Sequence, residues 1–390
     1  MIQDLCYTKN MKIAVITDTY YTINGVSRTY QEMVRYCQAK KIRLDIFTLG
    51  KRKNTKKKGT VNIFQFAASL PLKYYFDLPP FDLKIIPPGF KEKLNKTKYD
   101  IIHLATPGSL GIAARMISAE NSIPKIGCFH TLLAEYVFNW TEKGLKKIPL
   151  DLENLQIPKF SQDITWIMLK WFYAKTDLIL APSKVIADKI KILNKPIKIF
   201  SRGVDTEIFN PKYRNKKIEN EKPTGLYVGR LSLEKNLDLL AEIFKNRNDC
   251  NLWLAGDGPY KKSLEKKIPR AKFLKYVTGK KLAEIYANAD FFIFPSATDT
   301  FGNAVLEAQS SGLPCIVTNI GGPKELIKNK KTGLISKPTK KDFEEALNYF
   351  IKNGTKRKKM GQKARTFAET KSWNKVFEEL FKIYQKLGKN

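Results

Sequence analysis

The sequence predicts an α/β protein built from two doubly wound domains, each a mainly parallel sheet covered by helices on both faces. Three observations carry this. Short continuous apolar runs alternate with helix-length segments along nearly the whole chain, as expected of strands buried on both sides. The alternation stops at the polar linker Asn210 to Pro223 and then starts again. A length of 390 residues with 43% hydrophobic content is enough for more than one sizeable core.

The elements follow in order. Lys12 to Thr17 reads as a buried strand, followed by a loop and a helix over about Val26–Ala39. Further strands are expected at Ile42–Thr48, Val61–Phe66, Asp100–Leu104, Lys125–Phe129, Leu178–Ala181 and Ile197–Phe200. After the linker come Gly225–Val228, Asn251–Ala255, Lys272–Lys275, Phe291–Phe294 and Cys315–Thr318. From Thr339 the pattern is helical, with Phe343, Leu347 and Phe350 and then Trp373, Val376, Leu380 and Tyr384 at helical spacing. These signals divide the chain into domains at 1–207 and 208–372, with a final helix, 373–390, packing back on the first. The ligand is expected at the carboxyl ends of the strands, in the cleft where the domains face each other. Two segments break the pattern. Leu70 to Phe90, rich in Pro and aromatics, reads as a long loop or lid, and Thr141 to Phe160 as a mostly polar connection. Met1–Asn10 reads as an extension ahead of the first strand. The apolar spacing of Ile164, Ile167, Met168, Trp171 and Phe172 is read as core.

Seventy basic residues against 37 acidic give a net charge of +33. Such a balance draws a protein toward polyanions, either nucleic acid or an anionic membrane face, although a Lys-rich solvated surface produces the same number. The run Lys51 to Lys58 is expected to be a polybasic loop with a mobile tip at Asn54-Thr55, and Lys356 to Lys359 a solvated helix face. No RNP-like, KH-like or zinc-finger pattern accompanies the charge, so no specific nucleic acid is expected. A general polyanion-binding protein is the rival class. No run approaches the roughly 18 uncharged apolar residues of a spanning helix, and the first ten residues do not read as a secretory signal. Five scattered Cys without a CxxC pair suggest neither a disulfide framework nor a zinc site. A cytoplasmic protein is expected.

The densest chemistry lies in Pro295 to Ala308. A strand ends at Phe294, a loop carries Asp299, and a helix starting near Gly302 carries Glu307 in its first two turns. Backbone N–H groups at a helix start can bind anionic or hydroxyl-rich groups, and Gly302 allows close approach. A carboxylate such as Glu307 accepts hydrogen bonds from a vicinal diol, each contributing about 1.5–3 kcal/mol. A solvated acid is the plainer alternative, but Glu307 sits between Leu306 and Ala308 on a helix expected to be buried, where an unpartnered charge is costly.

Asp299 and Glu307, set in Thr-Asp-Thr-Phe-Gly-Asn-Ala-Val-Leu-Glu-Ala and followed by Ser311-Gly-Leu-Pro314, resemble the acidic motif of glycosyltransferase family 4. Asp299 departs from the usual Glu by one methylene. Asn24-Gly25-Val26 resembles the family's first glycine loop, and Phe129-His130-Thr131 its active-site histidine. Ala181-Pro-Ser183 and Arg202-Gly-Val-Asp205 with Phe209-Asn-Pro211 resemble the segments leading to its linker. Val228-Gly-Arg230 through Lys235-Asn236 resembles its phosphate-binding loop. The resemblance implies the GT-B fold, two Rossmann-like domains facing across a cleft. It also implies a retaining transferase that takes a hexose from a UDP- or GDP-activated donor, with neither metal nor other cofactor. It places Glu307 on the ribose, and Asp299 and the N–H groups of Phe301, Gly302 and Asn303 at the sugar. His130 contacts the sugar, and Gly25 lies in the donor-binding set. Arg230 and Lys235 then offer two cations to a diphosphate whose charge grows as it leaves. No DxD triplet occurs; Asp151-Leu-Glu153 is the nearest approach to one. Gly256-Asp-Gly258 reads as a strand–helix turn, and His103 as structural. A nucleotide-sugar epimerase or a phosphorylase would share the fold.

The acceptor belongs to the first domain. The polybasic run and the aromatics of Leu70–Phe90 lean toward a membrane lipid or lipid-linked glycan, reached peripherally on the inner face of the cell membrane. The resemblance is to the branch that glycosylates diacylglycerol lipids or transfers mannose to lipid-like acceptors.

Overall fold

The computed structural model describes residues 11–22, 24–67, 87–119, 121–145, 156–215 and 222–388. The bulk of the Leu70–Phe90 segment, the middle of Thr141–Phe160, part of the Asn210–Pro223 linker and Met1–Asn10 lie outside them. The chain divides into two compact units. The first comprises Met1–Pro182, Ala187–Ser201 and Asn374–Asn390; the second, Ser183–Ile186 and Arg202–Trp373.

The first unit holds eight strands among the described residues: β1 (Lys12–Ile16), β2 (Arg43–Gly50), β3 (Asn54–Lys58), β4 (Val61–Ala67), β5 (Ile101–Leu104), β6 (Lys125–Cys128), β7 (Leu178–Ala181) and β8 (Ile197–Ile199). They form one sheet in the order β3-β4-β2-β1-β5-β6-β7-β8, parallel except for β3. Strands β5, β6 and β7 are buried along their whole length, because helices cover both faces. The helix Trp373–Leu387 packs here: Phe377 and Phe381 lie 5.4 and 5.6 Å from the Tyr36 ring, on the helix Gly25–Lys40. Each fully buried ring of this kind contributes about 1.5–3 kcal/mol.

Two expectations fail in this unit. Asn54 to Lys58 is not a loop but β3, paired antiparallel with β4 through the two-residue turn Gly59-Thr60, where Gly59 takes φ +61°. Lys56, Lys57 and Lys58 are exposed on this edge strand, and lysines there block pairing with another chain. The second failure is the stripe on the helix Ile157–Tyr173. The buried face of that helix is Thr165, Leu169, Phe172 and Tyr173. Ile164, Ile167 and Trp171, with Phe160, are exposed instead, at 49, 67, 42 and 67%. At 100° per residue the four fall within about 60° of the helix circumference, opposite the core.

The second unit holds β9 (Thr224–Val228), β10 (Asn251–Ala255), β11 (Lys272–Leu274), β12 (Phe291–Phe294), β13 (Cys315–Thr318) and β14 (Gly333–Ser336). They form an all-parallel sheet in the order β11-β10-β9-β12-β13-β14. Tyr227 stacks on Phe294 at 5.8 Å, and Leu226, Phe292, Ile293 and Ile316 are fully buried between the helix layers. The segment Arg202 to Phe209 is tied into this unit by Arg365, whose Nη1 donates to the carbonyls of Thr206, Phe209 and Ser310. Among the described residues no helix is long and apolar enough to cross a membrane.

Candidate active site

In the second sheet the strand order reverses between β9 and β12, so the loops leaving those strands open side by side at the carboxyl edge. The loop after β9 carries Arg230 and Lys235, and the loop after β12 carries Asp299. Lys235 Nζ lies 2.9 Å from both carboxylate oxygens of Asp299. Their side chains keep 16 and 23% exposure, so the pair is partly shielded yet reachable. Thr298 Oγ1 donates to the Glu234 carbonyl at 3.1 Å and fastens one loop to the other. Arg230 is half-buried. Burial lowers its pKa and Glu234 opposes the fall, so it remains a cation.

The helix Asn303–Ser310 begins where Gly302 takes φ +97°, and a Cβ there would lie 3.0 Å from the Pro323 side chain. The positive φ favours glycine, and a Cβ would also crowd the Pro323 ring. Asn303 Oδ1 is buried without a hydrogen-bond partner among the described residues. Glu307 is 5% exposed and accepts a hydrogen bond from Tyr286 at 3.0 Å. Phe301, Gly302, Asn303 and Glu307 thus stand on one loop–helix junction, with the Lys235–Asp299 pair at its entrance.

The first sheet reverses between β1 and β5. Gly25, exposed, opens the helix Gly25–Lys40, capped by Asn24, whose side chain accepts from Ser27 N at 2.8 Å. Asp18, just after β1, accepts from the Thr106 hydroxyl at 2.6 Å and the Leu110 N–H at 2.9 Å, closing the start of the helix Ser109–Ile117. Full burial lifts its carboxyl to about 6 despite those donors. His130 follows β6 and is 8% exposed; its Nε2 lies 2.8 Å from the Tyr30 hydroxyl. Gly25 and His130 therefore belong to one unit, and the other seven site residues to the second.

Two family models match consecutive parts of the chain: Glycosyltransferase Family 4 over residues 23–208 and Glycosyl transferases group 1 over residues 209–367. The chain belongs to the family-4 glycosyltransferases. It is 30% identical to the sulfoquinovosyl transferase of Arabidopsis thaliana over 78% of this chain and 60% of that protein, thus spanning less than two thirds of that relative's length. It is 28% identical to a GDP-mannose-dependent alpha-mannosyltransferase of Corynebacterium glutamicum, over 96% of this chain and 88% of the relative. With the alpha-monoglucosyldiacylglycerol synthase of Streptococcus pneumoniae it shares 26% identity over 83 and 75%. Among solved structures, sucrose-phosphate synthase of Thermosynechococcus elongatus superimposes with a TM-score of 0.77 at 16% identity, covering 97% of this chain and 99% of that one. The fold is GT-B.

Around the acidic motif of this family-4 glycosyltransferase, Gly321 and Gly322 are supports that the sequence did not reveal, and Ser183 and Gly256-Asp-Gly258 take on further contacts. A Cβ on Gly322 would lie 2.0 Å from the Thr300 carbonyl, and Gly322 N–H donates to the Asp299 carbonyl at 2.9 Å. Gly321, at φ +80°, also packs below that loop, where a Cβ would lie 2.9 Å from the Asp299 carbonyl. Ser183, which belongs to the second unit, donates to the Thr300 carbonyl at 2.9 Å. Gly256-Asp-Gly258 is a strand–helix turn, and it also braces the Arg230 loop: Leu231 N–H donates to the Asp257 carbonyl and Tyr260 N–H to the Leu231 carbonyl, both at 2.9 Å. A Gly-Gly-Pro directly after β13 was the available signal for the first of these contacts.

Proposed function

We propose that the enzyme is a retaining hexosyltransferase that moves a hexose from a UDP- or GDP-activated donor to a membrane lipid or lipid-linked glycan, with an α-linkage in the product. The observation that carries the donor half is the pairing of the two switch-point loops. Arg230 and Lys235 stand on one, Asp299 on the other, and Glu307 one helical turn beyond. In this reading Glu307 holds the ribose hydroxyls, and Arg230 and Lys235 meet the diphosphate. Asp299 and the N–H groups of Phe301, Gly302 and Asn303 meet the sugar. A buried acceptor without a donor, as at Asn303 Oδ1, is costly until a hydroxyl reaches it. His130 is the first unit's residue assigned to the sugar, and Gly25 its glycine in the donor set.

The acceptor hydroxyl attacks C1 from the face that the diphosphate leaves. The C1–phosphate oxygen bond breaks, and the departing phosphate oxygen takes the hydroxyl proton. The two cations stabilise the charge that grows on it. They supply the role a metal would otherwise fill, so turnover is expected to survive chelation by EDTA.

The acceptor half rests on the relatives, whose names include an alpha-monoglucosyldiacylglycerol synthase and a sulfoquinovosyl transferase, and on the surface of the first unit. Phe160, Ile164, Ile167 and Trp171 form an exposed apolar stripe suited to the headgroup boundary of a bilayer. The Arg115 guanidinium lies 3.6 Å over the Trp171 ring, and the lysines of β3 add positive charge elsewhere on the unit. The enzyme would then work peripherally at the inner face of the cell membrane.

The test supplies labelled UDP- and GDP-hexoses with vesicles of diacylglycerol and anionic phospholipid, extracts the lipid and reads the anomer by NMR. An α-linked glycolipid is expected. A β-linked product would overturn retention, and label confined to the aqueous phase would overturn the lipid acceptor. Replacing Ile164, Ile167 and Trp171 by Ser should reduce co-sedimentation with the vesicles.

A further inference from the structure

The two histidines of the chain are joined through one phenol. Tyr30 Oη lies 2.8 Å from His130 Nε2 and 2.8 Å from His103 Nε2. His103 Nδ1 lies 2.6 Å from the hydroxyl of Tyr384 on the helix Trp373–Leu387. Tyr30, His103 and Tyr384 are completely buried, and both imidazoles stand nearly edge-on to the Tyr30 ring, at 83° and 75°. The chain of contacts therefore starts in the C-terminal helix, crosses β5 and the helix Gly25–Lys40, and ends at the loop after β6.

Proton counting gives this chain a direction. A phenol has one proton and two lone pairs, and a neutral imidazole has one N–H and one bare nitrogen. Among the described residues, the Tyr384 hydroxyl has one side-chain hydrogen-bond partner, His103 Nδ1. If His103 carried its proton on Nδ1, the buried Tyr384 proton would have no acceptor, a loss of about 1–3 kcal/mol. The satisfied arrangement has Tyr384 donating to a bare Nδ1, which leaves the His103 proton on Nε2. That N–H donates to the Tyr30 oxygen, so Tyr30 turns its own proton to His130 Nε2. His130 is then left with its proton on Nδ1. Successive bonds in such a chain polarise and reinforce one another.

We propose that the ordered chain Tyr384→His103→Tyr30→His130 fixes His130 as the Nδ1–H tautomer and holds its ring, making Tyr30, His103 and Tyr384 positioning residues for sugar transfer. This rests on the reading that His130 meets the donor sugar, and it gives His103 a task beyond filling the core. The proposal specifies that His130 Nδ1, which faces Cys128 Sγ at 3.9 Å, is a hydrogen-bond donor and not an acceptor, with the sulfur accepting. It also makes the C-terminal helix part of the catalytic support, although Tyr384 lies 281 residues from His103 in sequence.

With only two histidines, the test is clean. Long-range proton–nitrogen correlation on the ¹⁵N-histidine-labelled full chain gives two ring patterns, assigned with His103→Gln. The expected result is His103 as Nε2–H and His130 as Nδ1–H. Tyr384→Phe should relax the His103 pattern and, through Tyr30, change that of His130, while Tyr30→Phe should change both. A wild-type His130 found as Nε2–H, or a His130 pattern unmoved by either substitution, would overturn the proposal. In kinetics, Tyr30→Phe and Tyr384→Phe should each lower kcat several-fold with KM nearly constant. His130→Ala tests the underlying reading separately: full activity there would remove His130 from the reaction and leave the tautomer result standing.

Discussion

The polar groups of the two units are handled in opposite ways. In the second unit, charges gather at the strand ends and remain reachable: Lys235 holds Asp299 in a partly exposed pair, Arg230 is half-buried, and only Glu307 is deep. In the first unit, the polar groups beside the sheet's switch point are buried and satisfied by one another, as in the Tyr384–His103–Tyr30–His130 chain and in Asp18 with Thr106 and Leu110. Charge that meets a diphosphate must stay near water until the ligand arrives, because deep burial of unpaired ions costs several kcal/mol each. Groups that only orient a ring can be buried completely, provided each donor finds its acceptor. In the proposed reading the second unit binds the donor and the first orients His130.

The sharpest way to break this contrast is Glu307→Ala. It should cost about 2–4 kcal/mol in kcat/KM by removing charge-assisted contacts to the ligand. It also leaves the Tyr286 hydroxyl one partner short, so a thermal melt must accompany the kinetics. Unchanged kinetics would remove Glu307 from the site. Arg230→Ala comes next, at about 2 kcal/mol, falling on kcat more than on KM if the guanidinium acts on developing phosphate charge. A pure rise in KM would assign it to uniform binding.

The remaining effect belongs to the first unit and appears in stability, not in turnover. Burial raises the Asp18 carboxyl from its ordinary 3.8 to about 6, so the folded chain holds that proton more tightly than the unfolded one. The contribution is fully present below about pH 4 and is lost as pH rises through about 6. Asp18→Asn keeps an acceptor for Leu110 N–H and cannot ionise, while its amide would donate to the Thr106 hydroxyl oxygen where the carboxylate accepted. Urea midpoints against pH should show the wild type losing stability relative to the variant between pH 4 and 6, by an amount on the order of 3 kcal/mol. Parallel curves would refute the shift.

Much of this was legible in the sequence, for identifiable reasons. Strands such as Phe291–Phe294 and Leu178–Ala181 are continuous apolar runs because both sheet faces are covered, and no partner far away in sequence is needed to see them. Asp299 and Glu307 are acids beside a strand end, visible by type and spacing, whereas Arg230 and Lys235 stood out only through the family resemblance. What escaped depended on distant neighbours. β3 has four exposed polar side chains in five residues and no alternation; pairing with β4 alone makes it a strand. The periodicity of Ile164, Ile167 and Trp171 showed a face but not which side of the helix met the core. The Gly322 contact with Thr300, and the Tyr30 contacts with His103 and His130 at separations of 73 and 100 residues, are tertiary facts with no local signature.

The most direct test of the central claim is nucleotide release from a panel of UDP- and GDP-sugars, with and without vesicles of diacylglycerol and anionic phospholipid. The account predicts release from one donor, acceleration by the vesicles, and loss of both in Glu307→Ala. Release from none of the donors, or release that Glu307→Ala leaves intact, would contradict it.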